Sequence, residues 1–387
     1  MRILVVCPEQ LPVPPIKGGS VESVTYNIFK RMAQSEKVVL LSRSHPRLPS
    51  VSRYVDGNLQ VIRVPSSRPF AYLRAALRKV AGQSFDIIQI ENRPRFVPFV
   101  RQAFPHTPII LSLHSLTFMS RLTLPQANAI LRQVNGITSV SSFVTNTMKR
   151  RYPAHAHKFR TAIPGVDAVK FRPWPAAAKL RLRRRMGLAG SFNVLFVGRI
   201  VRGKGLHTLI RSVAQLKRRI PNIRLVAVGA SWPGVRRQTP YMRYVRNLSK
   251  RLRVPVRFTG YVPPSRVHQM FQLGDVFVCP TLFREGLATV NTEAMASGIP
   301  VVASNRGGIR EVVIHGHSGL LVNQANSPAA FARAIARIRN NPALRRRLIA
   351  NGRTRVRSSF NWYGTVRRLK AHYQDVRSAA SSSKKSH

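Results

Sequence analysis

The chain has 387 residues, 44% of them hydrophobic, which suits two packed domains and excludes disorder throughout. Its 65 Lys and Arg against 12 Asp and Glu give a formal charge of +53, a balance that draws polyanions without saying anything of fold. No run of about 18 uninterrupted apolar residues exists, so a membrane-spanning helix is not expected.

In chain order, the first apolar run is RILVVC (2–7), a strand ending at Cys7 and Pro8 with no small-residue cleavage pattern behind it. The expected location is therefore the cytoplasm. Cys7 and Cys279 each close an apolar run and read as small buried hydrophobes, which fits a reducing compartment. The segment IKGGSVESVTYNIF (16–29) follows. Ser20 reads as a helix N-cap, and Val21, Val24, Ile28 and Met32 share one helical face. Gly18 and Gly19 either bring the backbone close to a ligand, leaving helix N–H groups for a phosphate, or form a tight turn. Glu22 comes just after them. Strands KVVLLS (37–42), DIIQI (86–90), PIILSL (108–113) and GITSVS (136–141) complete the first half. Glu91 directly follows DIIQI, and His114 directly follows PIILSL. A strand-end histidine is either a ligand-facing group or a satisfied structural one, and both readings stay open.

The Pro-rich, charged stretch FRPWPAAAKLRLRRRMG (171–187) reads as a linker. Beyond it come NVLFVG (193–198), IRLVAVG (223–229), VRFTG (256–260), DVFVCP (275–280) and PVVAS (300–304). In VGRIVRGKG (197–205) Arg199 leaves a strand end and Lys204 heads the next helix, a planar fork and a point charge for phosphate oxygens. With so many basic residues, the position carries the signal rather than the charge.

The stretch REGLATVNTEAMASGIPVV (284–302) sets Glu285 and Glu293 eight residues apart in an acid-poor chain. Glu285 is expected in a loop and Glu293 two turns into the following helix. Gly286, Leu287, Ala288 and Thr289 would offer free backbone N–H groups to a phosphate. The two glutamates would accept hydroxyl hydrogen bonds on either side of it, each charge-assisted bond adding roughly 1.5–3 kcal/mol. A dipole-favouring Glu plus a solvated Glu is the bland alternative, and it leaves the apolar AMASGIPVVAS unexplained. Gly307, Gly308 and Glu311 follow PVVAS, and SAASSSKKSH (378–387) reads as a disordered tail.

Short apolar runs alternating with helix-like segments predict an α/β class: two doubly wound Rossmann-like domains facing across a cleft. The boundaries are 1–172, a linker at 173–190 and 191–360. In open α/β sheets ligands sit beyond the carboxyl ends of the strands, which is where the unusual residues recur. The basic clusters RLRRR (181–185) and RRR (345–347) stand beside no zinc-finger spacing and no RNP-type aromatic pattern, so a solvated basic face is preferred to specific nucleic-acid binding.

These residues resemble the family 4 glycosyltransferases of GT-B fold, whose hallmark is E-x7-E followed by EAMA-x-G-x-P-V-V. Here it reads Glu285-GLATVNT-Glu293, then AMASGIPVVAS. The likeness covers nearly the whole chain: the early Gly-Gly, the strand-ending His114, GVDAVKFRP (165–173), VGRIVRGKG, FTGYV (258–262), and GGIREVV with GHSGLLV (307–322). IENRP (90–94) and the Glu-x-Leu-Ala form of the hallmark resemble a spore-coat subgroup.

The resemblance implies that Arg199 and Lys204 hold the diphosphate of a nucleoside diphosphate sugar. It implies that Glu285 binds sugar hydroxyls, that Glu293 binds the ribose, and that the backbone of Gly286, Leu287, Ala288 and Thr289 binds sugar and phosphate. Tyr261 and Val262 would line the base pocket. Gly19, Glu22 and His114 would face sugar and acceptor, with His114 and Glu285 as the catalytic pair and Glu22 and Glu91 on the acceptor side. Residues 361–377 would form a helix crossing back to the first domain. The implied reaction is retaining, with front-face attack by the acceptor hydroxyl. No D-x-D pair is present, so no metal and no other cofactor is expected. The acceptor would be a glycan, a lipid-linked species or a surface polymer in the cell envelope or spore coat, with the basic face adhering to an anionic surface such as a membrane. Two departures stand out: Ala288 where the family commonly has Gly, and Pro164 where it commonly has Asn. The competing readings are a coat-associated structural protein of little activity, a nucleotide-sugar epimerase, and a charge-driven nucleic-acid binder.

Overall fold

The computed structural model describes residues 1–66, 68–235 and 237–385. The chain divides into two compact units. Unit 1 is Met1–Gly165 together with the segment from Trp362, and unit 2 is Val166–Asn361.

Unit 1 holds eight strands: β1 Arg2–Val6, β2 Lys37–Arg43, β3 Val51–Tyr54, β4 Leu59–Val64, β5 Ile87–Glu91, β6 Ile109–Leu113, β7 Gly136–Ser139 and β8 Phe159–Thr161. Their order is β3-β4-β2-β1-β5-β6-β7-β8. Among the described residues of this sheet, only the β3–β4 pair is antiparallel. Ile3, Leu4, Val5 and Val6 are wholly buried, as expected of a central parallel strand covered on both faces. Unit 2 holds β9 Phe192–Val197, β10 Ile223–Val228, β11 Val256–Gly260, β12 Val276–Cys279, β13 Val301–Ser304 and β14 Leu320–Val322. Their order is β11-β10-β9-β12-β13-β14, with every pairing parallel.

β3, β4, β8 and β14 were not among the strands read from the sequence. β8 and β14 have three residues each. β4 is interrupted by Arg63, which is nevertheless buried, donating to the carbonyls of Val13 and Pro49 at 2.9 and 2.7 Å and to Ser52 Oγ at 2.9 Å. A buried Arg whose Nε and Nη1 donors are met is compatible with a strand, although its Nη2 finds no partner among the described residues, and composition alone does not reveal these contacts.

The stretch read as a linker at 173–190 is built into unit 2. It contains the helix Ala176–Arg185, whose Leu182 is buried. Arg183 Nη2 donates to Asp275 Oδ1 at 2.9 Å, and Asp275 Oδ2 accepts from Asn193 N at 2.8 Å. Ala, Leu and Arg are strong helix formers, and that outweighed the prolines before them. The division between units falls at Gly165.

The expected disordered tail is also corrected. The helix Trp362–Lys385 continues through 378–385, and residues 386–387 lie outside the described residues. Ser381 and Ser382 donate to the carbonyls of Arg377 and Ser378, each at 3.0 Å, so their hydroxyls are satisfied within the helix. Trp362, Leu369, Tyr373 and Val376 form the buried stripe of this helix and join the unit 1 core beside Ile3, Val5, Phe29 and Ile110.

Candidate functional site

In unit 2, β9 ends at Val197 and the chain turns through Arg199 to a short 3₁₀ turn, Arg202–Lys204. Gly205, at φ 73°, then starts the helix Leu206–Leu216. A Cβ at Gly205 would lie 1.8 Å from the Pro280 carbonyl oxygen, so this crossing against the end of β12 requires glycine. The close approach delivers Lys204 to Glu285: Nζ lies 2.6 Å from Oε1. The Thr281 hydroxyl lies 3.0 Å from the same oxygen and 3.1 Å from the Gly203 carbonyl.

Gly307 and Gly308 hold the Glu285 backbone from the other side. Gly308 N donates to Glu285 O at 2.9 Å, and a Cβ at Gly307 (φ 60°) would come within 2.3 Å of that oxygen. Glu285 is 8% exposed. Two exposed aromatic rings cover the two cations. Arg199 Cζ stands 5.4 Å from the Trp232 centroid, and Lys204 Nζ stands 5.2 Å from that of Phe283.

Gly286 and Leu287 are buried, while Ala288 sits at φ 62°. A left-handed alanine costs on the order of 1 kcal/mol relative to glycine there. The helix that follows is Val290–Ala296, so Glu293 lies in its first turn rather than two turns in. Glycine and a left-handed Ala288 delay the helix start beyond the position that spacing suggested. Glu293 keeps some exposed surface, yet the protein packed around its carboxyl pushes the pKa up to about 7, opposed by the Lys170 charge. Tyr261 and Val262, both half-buried, leave the end of β11 after Gly260 at φ 71°. The structure thus joins Lys204 directly to Glu285, whereas Arg199 packs on Trp232.

Unit 1 gathers its own set. Gly19, not Ser20, caps the helix Ser20–Met32, at φ 105° and ψ 125°. A Cβ there would lie 2.1 Å from Glu22 Oε2. Glu22 is buried, and burial raises its carboxyl to about 7; its own backbone N–H and the His114 and Arg93 charges pull it down, while Glu9 pushes it up. Arg93 grips Glu9 through two bonds of 2.7 and 2.9 Å and lies 4.3 Å from the Phe118 centroid.

His114 Nε2 lies 2.7 Å from Glu91 Oε2, and Gln89 Nε2 donates to Glu91 Oε1 at 2.6 Å. Glu91, expected on the acceptor side, is 1% exposed, with one oxygen engaged by Gln89 and the other by His114. Sequence reasoning missed Glu9, Arg93, Gln89, Thr281, Trp232 and Phe283. Glu9 and Arg93 lie just past β1 and β5, so the strand-end rule that found Glu91 would have reached them. Trp232 and Phe283 carry no signal short of the folded contact.

Two family models match: "Glycosyltransferase Family 4" over residues 18–170, and "Glycosyl transferases group 1" over 181–355. YtcC of Bacillus subtilis (strain 168), classed as a glycosyltransferase, is 32% identical over 97% of this chain and 92% of its own length. Spore coat protein SA of the same organism is 29% identical over 97% of this chain and 100% of its own. Among solved structures, the sucrose-phosphate synthase of Thermosynechococcus elongatus superposes with a TM-score of 0.78 at 26% identity, covering 98% of this chain and 100% of that one. Anabaena HepE, solved with UDP, gives 0.79 at 18% identity over 97% of this chain and 100% of its own, a likeness of fold.

Proposed function

We propose a reaction for this chain, which belongs to the family 4 glycosyltransferases and has their GT-B fold of two Rossmann-like domains: transfer of a hexosyl group, with retention, from a nucleoside diphosphate sugar to a hydroxyl of a glycan, lipid-linked or envelope acceptor. The observation that carries it is the Lys204–Glu285 contact, held between Gly205 and the Gly307–Gly308 turn at the carboxyl ends of β9 and β12. Among the described residues, this is where unit 2 brings a cation and a carboxylate together beside two exposed aromatic rings and a second cation, Arg199.

Without donor, Lys204 rests on Glu285. A diphosphate would draw Lys204 and Arg199 to its oxygens and free Glu285 to accept from sugar hydroxyls. The backbone of Gly286, Leu287, Ala288 and Thr289 would meet the phosphate and sugar, and Glu293 the ribose. Tyr261 and Val262 would border the base. In unit 1, Gly19, Glu22 and His114 would serve sugar and acceptor recognition.

The acceptor oxygen attacks the anomeric carbon as its bond to the leaving phosphate oxygen breaks. The acceptor's proton passes to that phosphate, and Arg199 and Lys204 offset the charge in place of a metal. UDP and UDP-glucose in the HepE structures, and GDP-mannose in the name of a mycobacterial relative, mark the range of donors to try.

Incubation with UDP-, GDP- and ADP-sugars, with and without EDTA, should release one nucleoside diphosphate equally in both conditions. The product should keep the donor's anomeric configuration by proton NMR. Absence of both turnover and nucleotide binding across the panel would sink the reading. It would favour instead a coat-associated structural protein on the same fold, which the likeness to Spore coat protein SA supports.

The protein would act in the cytoplasm, at an anionic surface. Its 65 Lys and Arg cannot be paired by 12 acids, which leaves +53, and the surplus field is screened beyond roughly 8 Å at physiological salt. Among the described residues no helix is long and apolar enough to cross a membrane. Co-sedimentation with phosphatidylglycerol vesicles should therefore fall steeply as salt rises; salt-insensitive binding would point to apolar docking.

A further inference from the structure

Three polar side chains in unit 1 are almost wholly removed from water: Gln89 and Glu91 at 1% exposure and Tyr373 at 0%. Gln89 and Glu91 share one strand. Tyr373 comes from the helix Trp362–Lys385, 284 residues further along the chain. Buried polar groups are costly unless each finds a partner, and these find one another in a line. Tyr373 Oη lies 2.5 Å from Gln89 Oε1, Gln89 Nε2 lies 2.6 Å from Glu91 Oε1, and Glu91 Oε2 lies 2.7 Å from His114 Nε2.

The chemistry fixes the direction of every bond. An ionised carboxylate only accepts, so the Gln89 amide must turn its NH₂ toward Glu91. Its carbonyl oxygen then faces Tyr373, whose hydroxyl must donate. The other carboxylate oxygen must likewise accept from His114 Nε2–H. That leaves Nδ1 as the ring nitrogen a ligand would meet in the proposed reaction. The Asn92 side chain also steadies this corner, its Oδ1 accepting from His114 N at 3.2 Å. The Ser112 hydroxyl, at 3.4 Å from Nε2, is too long to compete with Glu91.

We propose that Tyr373, Gln89 and Glu91 form a positioning relay that sets the tautomer and orientation of the His114 ring, so that the helix after Trp362 governs a group of the amino-terminal site without touching substrate. The relay rests on the reading above only for what His114 then does; the state of the ring itself can be observed without any reaction. A merely structural network would tolerate replacement of its inner members by apolar groups of like shape.

The test is long-range ¹H–¹⁵N NMR of ¹⁵N-histidine-labelled full-length protein, with the His114 signals assigned by their loss in His114→Gln. The parent should show neutral His114 protonated at Nε2. Tyr373→Phe, and the double variant Gln89→Leu/Tyr373→Phe, which removes both outer members together and takes the Gln89 donor from Glu91 Oε1, should show both tautomers. Glu91→Leu should show the largest change. In the double variant kcat should fall roughly tenfold with donor KM within about twofold, as misorientation rather than lost binding requires. An Nδ1–H ring in the parent, or a double variant with parent tautomer and parent kcat, overturns the relay. A shifted tautomer with unchanged kcat upholds the relay and removes His114 from the proposed reaction.

Discussion

The two strand-end clusters solve opposite problems. In unit 1 the polar groups answer one another: Arg93 grips Glu9, and Glu91 is shared by Gln89 and His114. Three of the chain's 12 acids, Glu9, Glu22 and Glu91, are buried there. In unit 2 the cations point outward. At this strand-end cluster Arg199 is exposed and rests on a Trp ring, while Lys204 meets the Glu285 carboxylate. Unit 1 is therefore complete before any ligand arrives, and its geometry is what a ligand must fit. Unit 2 holds charge in reserve, and in the proposed reaction an anion would complete it. A preorganised polar site resists reorganisation during a reaction, whereas a cationic one gains most of its stabilisation on binding.

The strongest way to break this contrast is to remove the reserve. Arg199→Ala/Lys204→Ala should reduce nucleoside diphosphate affinity at least 100-fold, taking each charge-assisted contact at about 1.5–3 kcal/mol. The fold should survive, since Arg199 lies in a loop and Lys204 at the end of a three-residue 3₁₀ turn. Calorimetric titration with UDP, GDP and ADP checks it, and parent-like affinity in the double variant would remove unit 2's claim to the donor.

The next effect separates the two glutamates. Glu285→Gln takes the charge opposite Lys204 and should cut kcat roughly 10- to 100-fold with modest change in nucleotide affinity. Glu293→Gln should mainly weaken nucleotide binding, by about tenfold. Steady-state kinetics beside direct binding resolves them, and equal, small changes in both would return the pair to solvated helix-end residues.

The last effect is on stability. Glu22 and Glu293 have folded pKa values raised to about 7, above their ordinary 4.5. The folded state thus binds these protons more tightly than the unfolded one. Their contribution is greatest below about pH 4.5, is lost as pH rises toward about 7, and stays lost above that. The fall is at most about 3 kcal/mol for Glu22 and less for the partly exposed Glu293. Urea unfolding at pH 5 and pH 8 should show the difference shrinking in Glu22→Gln, and an unchanged slope there would place the titration elsewhere.

How much of this was legible in the sequence depends on the range of the contact. Apolar runs revealed ten of the strands among the described residues because a buried parallel strand must be apolar on both faces, a property of its own residues. The Glu285–Glu293 spacing and the Gly307–Gly308 pair were likewise local. Three things were out of reach. The helix at Ala176–Arg185 hid behind prolines, the tail helix behind serines, and Glu91 looked like an available carboxylate at a strand end. Its true partners come from β6 and, through Gln89, from the far end of the chain. Ala288 falls between: its oddity was visible as a missing glycine, but only its φ of 62° shows why a glycine would sit more easily there.

The return of the helix after Trp362 to the first sheet has a consequence for how the protein is made. Unit 2 is, in effect, an insertion between the body of unit 1 and one of its core helices. On the ribosome, Val166–Asn361 emerges whole and can fold at once. The amino-terminal sheet, synthesised first, must wait with the face meant for Leu369, Tyr373 and Val376 open to water. The loop to be closed exceeds two hundred residues, yet the entropy of closure grows only as the logarithm of length, and a folded insert shortens the effective path. Delay rather than closure cost is thus the hazard: an apolar groove exposed for the time taken to translate an entire domain is a natural client for chaperones.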